Sequence, residues 1–151
     1  MAVNTLLNQS GDILDANVVT NLDTGASFQT FTAPPLAQDL HVVGLPQFQF
    51  FVSGGAADAY YHVQIVERLA GGSERLITRG AFKDHAANPS ASHEIDFSAF
   101  AINHVFKTGS RIRLHIASRD FPFFLPNLDQ PTVKIFRDAQ RPSSLTLPVV
   151  P

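Results

Sequence analysis

With 151 residues, a formal charge of −2 and no cysteine, the chain has the length of one domain able to bury roughly two-thirds of its unfolded surface. The missing cysteine excludes disulfides, thiolate catalysis and zinc–cysteine sites, and the small net charge supplies no pull toward nucleic acid or an anionic membrane. Thirteen phenylalanines without a tryptophan, and only 16% charged residues, predict a packed phenylalanine–aliphatic core rather than a disordered chain.

The first residues, Met1-Ala2-Val3-Asn4-Thr5, carry no basic region, and no apolar run approaches the roughly 20 residues that cross a bilayer. Neither a signal peptide nor a membrane span is therefore expected, and the lack of cysteine tilts the compartment toward the cytoplasm. Residues 1–27 are rich in Asn, Asp, Thr and Gly and read as an N-terminal strap or linker, with a short strand near Gly11-Asp12-Ile13-Leu14. From Phe28 the character changes, and residues 28–151 read as one domain.

Strands are expected at about Leu40–Val43, Gln47–Ser53, Tyr60–Arg68 and Glu74–Arg79. More follow at His93–Phe97, Ser110–Ser118, Thr132–Arg137 and Ser144–Leu147. Phe48, Phe50 and Val52 share one face, as do Tyr61, Val63 and Ile65, which is the period of two expected of a strand. The segment after Gly109 alternates cleanly: Arg111, Arg113 and His115 on one side, Ile112, Leu114 and Ile116 on the other. Gly54-Gly55, Gly71-Gly72, Asn88-Pro89 and Thr108-Gly109 punctuate these runs, and Ala70-Gly71-Gly72-Ser73 reads as a hairpin. Asp120-Phe121-Pro122 closes the strand before it, since proline cannot donate to a ladder. No stretch has sustained helical periodicity, and Ser98–Val105 is given at most a short turn. About eight short strands with regular turns make an all-β sandwich or jelly roll.

Chemistry is sparse. No G-x-S-x-G elbow occurs; Ser73 in Gly71-Gly72-Ser73-Glu74-Arg75 fails at the last glycine and reads as a hairpin tip. The six histidines form neither H-E-x-x-H nor H-x-H, so no metal or cofactor is expected. His62 and His115 fall on the more polar face of their strands and read as surface histidines. Asp84-His85 and His93-Glu94-x-Asp96 are expected to pair across neighbouring strands rather than act as acid and base. Arg111 and Arg113 are expected to pair with carboxylates such as Glu67, Glu94 or Asp96, and Lys83 carries the same choice between ion pair and ligand contact. Asp58 reads as a turn-stabilising Asx residue. The candidate interface is the loop holding Phe121, Phe123, Phe124 and Leu125, because so apolar a loop marks a contact surface unless it folds back over the sandwich.

The ordered motifs resemble a known family. Thr30-Phe31-Thr32-Ala33-Pro34-Pro35-Leu36 and His41-Val42-Val43-Gly44-Leu45-Pro46 are similar to the start of the C-terminal domain of Xaa-Pro dipeptidyl-peptidases and cocaine-esterase-like hydrolases. Asp58-Ala59-Tyr60-Tyr61-His62-Val63, Thr78-Arg79-Gly80-Ala81-Phe82-Lys83 and Lys107-Thr108-Gly109-Ser110-Arg111-Ile112-Arg113 follow in the family's order. Ser118-Arg119-Asp120-Phe121-Pro122, Asn127 and Arg141-Pro142-Ser143-Ser144-Leu145-Thr146-Leu147-Pro148 complete the match over about residues 28–151. Ser110 stands where the family often has histidine, and Lys83 where it has arginine.

The resemblance implies a jelly-roll β-sandwich of galactose-binding-domain-like topology. It implies a non-catalytic domain beside an α/β-hydrolase domain that holds the Ser-Asp-His triad, buttressing it and helping to wall its substrate pocket. No catalytic residue is then expected in this chain, and the expected partner is that hydrolase domain, in the same or a neighbouring chain. Self-association stays open at this stage. The alternative is a free-standing carbohydrate-binding module, for which Tyr60, Tyr61 and the Phe121–Leu125 loop are the available sugar platforms.

Overall fold

The computed structural model describes residues 2–4, 14–15, 28–54, 57–117, 120, 123 and 132–151. Its strands are β1 (Ala2–Asn4), β2 (Leu14–Asp15), β3 (Phe28–Thr32), β4 (Leu40–Gly44), β5 (Gln47–Gly54) and β6 (Asp58–Arg68). Then come β7 (Glu74–His85), β8 (His93–Ser98), β9 (Ile102–Phe106), β10 (Arg111–Ala117), β11 (Val133–Phe136) and β12 (Ser144–Pro148). Among the described residues there is no helix.

Two antiparallel sheets face each other in a jelly-roll sandwich. One is six-stranded and runs β1-β12-β5-β11-β2 with β8 on β5; the other is four-stranded in the order β3-β10-β6-β7. β4 and β9 form a separate two-stranded ribbon, tied to the strand end of β12 by a bridge from Val42 to Val149. Alternation determines which side chains meet between the sheets. Phe48, Phe50 and Val52 of β5 are buried there, with Tyr61, Val63 and Ile65 of β6 and Ile112, Leu114 and Ile116 of β10. Phe97 of β8 lies between Phe48 (centroids 5.1 Å apart) and Phe82 of β7 (5.4 Å), both stacked, so one ring column joins the two sheets. Such aromatic pairs are worth about 1 kcal/mol each beyond the area they bury.

β5 is covered on one edge by β8 and on the other by two strands in succession. β11 pairs with Phe51–Gly54 and β12 with Gln47–Gln49. The excursion between them is folded by Asp138, which accepts from the Gln140 and Arg141 amides (3.1 and 2.9 Å) and from the Arg141 guanidinium (2.6 Å). At the junction the buried Ser143 hydroxyl accepts from the Phe51 amide (3.0 Å) and donates to the Phe136 carbonyl (2.6 Å). A side chain thus fills the place of a ladder bond that neither strand supplies.

The departures from the sequence reading trace to contacts with other strands. β7 runs to His85 instead of stopping at Arg79, because Gly80 is not a break. A Cβ there would stand 2.8 Å from the Ala99 Cα, so this glycine admits a neighbouring backbone while the strand continues. A register shift at Ile65/Val66 inserts an extra residue, Ile77, into the same strand. β9 replaces the short turn expected at 98–105; its polar residues are absorbed by partners from distant strands, His41 Nε2 with Asn103 Oδ1 (2.8 Å) and His104 Nε2 with Glu67 (3.0 Å). β3 and the Ala2–Asn4 pairing with β12 also went unread, while the strand expected near 11–14 is described only at Leu14–Asp15.

Candidate interaction surface

The segment that carries the clearest family motif, Lys107-Thr108-Gly109-Ser110, is a turn held by carboxylates. Asp39 accepts from the Lys107 ammonium (2.8 Å), the Thr108 amide (2.8 Å) and the Thr108 hydroxyl (2.9 Å). These bonds, led by the one from Lys107, hold the Asp39 carboxyl down at about 2. Glu67, almost wholly buried, accepts from the Lys107 amide (2.9 Å) and from His104 (3.0 Å). Burial opposes its charge, but the bonds from the Lys107 amide and His104 prevail and keep its carboxyl below the usual range. Gly109 takes φ +77° and donates to the Leu36 carbonyl (2.8 Å), a conformation favouring glycine. Ser110 Oγ donates to the Lys107 carbonyl (2.6 Å). Every group in the motif is spent on shape.

The outer face of the four-stranded sheet is where the sequence reading needs correction. His62 and His115, expected at the surface, are 3% and 5% exposed. Burial lowers the imidazolium pKa of His62 to about 4 and that of His115 below its ordinary value. Asp120 lies on this face, accepting from Gln64 Nε2 (3.0 Å) and Arg79 Nη1 (3.0 Å), and both members of the Arg79–Asp120 pair are largely buried. Arg113 reaches Glu74 rather than Glu67, Glu94 or Asp96, and its Nε donates to Thr32 Oγ1 (2.9 Å); Arg111 donates to the Ala33 carbonyl (3.2 Å). Glu67 is unavailable to them because it points to the opposite side and serves the turn.

The remaining candidates resolve into pairs. Asp84 and His93 do converge (2.7 Å); burial works against the His93 cation, but Asp84 and the Ala91 carbonyl raise its pKa. Asp58 binds His85 (2.5 Å) and Lys83 (2.9 Å), which together lower its pKa. Ser73 closes the hairpin, its carbonyl accepting from Leu69 (2.9 Å). Tyr61 is 2% exposed and cannot act as a sugar platform, while Tyr60 lies 5.8 Å beneath the Lys83 ammonium. On the other sheet, Gln47, Phe48, Gln49, Asp96, Ser144 and Thr146 line an open groove of about 230 Å³. It has no exposed aromatic floor on which a sugar ring could stack. Among the described residues no cluster of three or more His, Asp or Glu is placed to hold a metal, and no helix is long and apolar enough to cross a membrane.

Of the expected interface loop, Phe121, Phe124 and Leu125 lie outside the described residues. Phe123 is 64% exposed, with its ring 3.5 Å from the Arg79 guanidinium. The sequence reading missed Phe100, which is 61% exposed just before β9. The available signal was the spacing of Thr78 and Gly80, whose structural use is to hold that loop.

The described residues form a jelly-roll sandwich whose motif residues hold turns and ion pairs. The pattern of the X-Pro dipeptidyl-peptidase C-terminal non-catalytic domain matches residues 4–146, and the chain belongs to that family. Solved structures share the fold. An aminopeptidase from a marine-sediment Thaumarchaeota archaeon has TM-score 0.70 and 22% identity over 82% of this chain and 26% of its own. An α-amino acid ester hydrolase has TM-score 0.69 and 20% identity over 82% and 25%. A CocE/NonD family hydrolase from Staphylococcus aureus has TM-score 0.73 and 10% identity over 100% and 33%. The chain therefore spans a quarter to a third of the structures it matches. No curated protein matches it by sequence.

Proposed function

We propose that this domain is the accessory sandwich of an α/β-hydrolase-type serine hydrolase of the Xaa-Pro dipeptidyl-peptidase or acyl-esterase class, packing beside the catalytic domain and helping to wall its substrate pocket. The observation that carries the reading is membership of a family described as the non-catalytic C-terminal domain of such peptidases, over residues 4–146. The aminopeptidase, amino acid ester hydrolase and CocE/NonD hydrolase of like fold, each three to four times the length of this chain, agree with it. The loop bearing Phe121, Phe123, Phe124 and Leu125 is the contact to that domain, and the exposure of Phe123 supports it. The role proposed for residues 1–27 is that of a strap or linker, supported by the pairing of Ala2–Asn4 with β12 and of Leu14–Asp15 with β11.

The test has two arms. The purified chain alone gives no turnover with Xaa-Pro aminoacyl or short acyl ester substrates, whereas the assembly that contains it does. The coding sequence around it specifies, in the same or a neighbouring frame, a G-x-S-x-G serine with downstream Asp and His. Turnover by the repurified chain, or the lack of any such hydrolase, would overturn the reading.

A further inference from the structure

Between β8 and β9 the chain carries a buried alanine followed by an exposed phenylalanine, Ala99-Phe100. The backbone there is pinned. The Ala99 amide donates to the Pro46 carbonyl (3.0 Å), the Phe100 amide to the Arg79 carbonyl (2.9 Å), and Thr78 Oγ1 donates to the Phe100 carbonyl (2.9 Å). Gly80 completes the clasp, since any larger residue would meet Ala99 and the Ser98 carbonyl at 2.8–3.0 Å. Three consecutive residues of β7 thus fix the main chain under a ring that stays 61% exposed. The backbone that presents the ring is therefore fixed before any partner arrives.

The same Arg79 carries a second exposed ring. Its guanidinium lies 3.5 Å from the centroid of Phe123, and its charge is answered by Asp120 at 3.0 Å. Arg79 therefore holds Phe100 by its main chain and Phe123 by its side chain.

We infer that Phe100 and Phe123, organised by Thr78-Arg79-Gly80, are the anchor of the surface on which the catalytic domain sits; this rests on the function proposed above and adds Phe100 and its clasp to the contact. The chemistry selects an apolar protein surface. Arg79 is neutralised by Asp120 and Lys83 on the same strand by Asp58 (2.9 Å), so neither cation is left for phosphate. Aromatic side chains on a pre-fixed backbone lose little freedom on docking, which is the property of an interface anchor. The hydrolases of like fold place two-thirds to three-quarters of their length outside this domain, and that remainder is the occupant to which the proposal commits. Phe51, half-buried on the outer face of the six-stranded sheet, lies outside the anchor.

Hydroxyl-radical footprinting with mass spectrometry tests this on the native assembly and on the 151-residue chain alone. Phe100 and Phe123 are expected to be at least fivefold less reactive in the assembly than in the chain, with Phe51 changing less than twofold. If a hydrolase domain is present and protects other residues while Phe100 keeps its reactivity, the inference falls and the proposed function stands. If the assembly contains no hydrolase domain, the proposed function fails and takes the inference with it.

Discussion

The two outer faces of the sandwich are built from strands of similar alternation and have opposite fates. On the six-stranded sheet the outward residues are Gln47, Gln49, Asp96, Ser144 and Thr146, which line an open groove; the Gln49 amide donates to Glu94 (2.8 Å) in contact with water. On the four-stranded sheet the outward residues include His62 and His115, buried, and the Gln64–Asp120–Arg79 network, largely buried. A polar residue facing away from the core is thus not always a solvated one. What separates the faces is burial on one of them, and the residue that fastens Gln64 and Arg79 there is Asp120.

The largest effect should come from cutting that fastening. Asp120→Ala leaves the Arg79 guanidinium mostly buried without its counter-charge and removes the acceptor of Gln64. Breaking one side of such a pair costs about 3 kcal/mol, which lowers Tm by roughly 10 °C in a domain of this size. Thermal unfolding at pH 7 measures it. A loss below about 1 kcal/mol would mean that the covered face owes nothing to this pair.

The core was legible in the sequence because the cause lies within each strand. Phe48, Phe50 and Val52, or Ile112, Leu114 and Ile116, repeat with the period of the pleat, and the pleat decides which side they face. Coverage of the outer face was not legible. His115 alternates with Leu114 and Ile116 whether or not its face is buried, and nothing near His115 announces that Asp120 will reach Gln64 and Arg79. β7 was cut short for a related reason: Gly80 looks like a break in its own strand, and only the position of Ala99 shows that it is a point of close approach. The candidate site stood between these cases. The Phe121–Leu125 loop is apolar enough to notice in sequence, whereas the exposure of Phe100 depends on main-chain bonds to another strand.

The covered face should also set the response to acid. His62 has a folded pKa of about 4 against an ordinary value near 6.5, and that of His115 is also lowered. The unfolded chain then binds more protons between these values, so the stability contributed by the neutral imidazoles is full above pH 6.5 and is lost as pH falls toward 4. At 1.36 kcal/mol per pH unit, His62 alone removes about 2 kcal/mol between pH 6.5 and 5. His93 acts in the opposite sense, since its raised folded pKa stabilises the protein below the unfolded value and is lost as pH rises. Denaturant midpoints across pH 5–7, for the chain and for His62→Gln, separate the contributions. A wild-type profile flat over that range would show that His62 is protonated in place without penalty.

Within the six-stranded sheet the comparison sharpens further, because there burial and not polarity decides the effect. Ser143→Ala removes the acceptor of the Phe51 amide and the donor to the Phe136 carbonyl at a buried junction between β11 and β12. Leaving those backbone groups without a partner costs about 2 kcal/mol. Gln49→Ala also deletes a hydrogen bond of good length, 2.8 Å to Glu94, but on the open face, where water takes both partners at once. Its expected effect is within about 0.5 kcal/mol, near the resolution of a urea titration. Gln49 within β5 and Ser143 beside it would then differ severalfold for one reason, access of solvent. If Gln49→Ala costs as much as Ser143→Ala, the open face is covered too, and the contrast between the two sheets disappears.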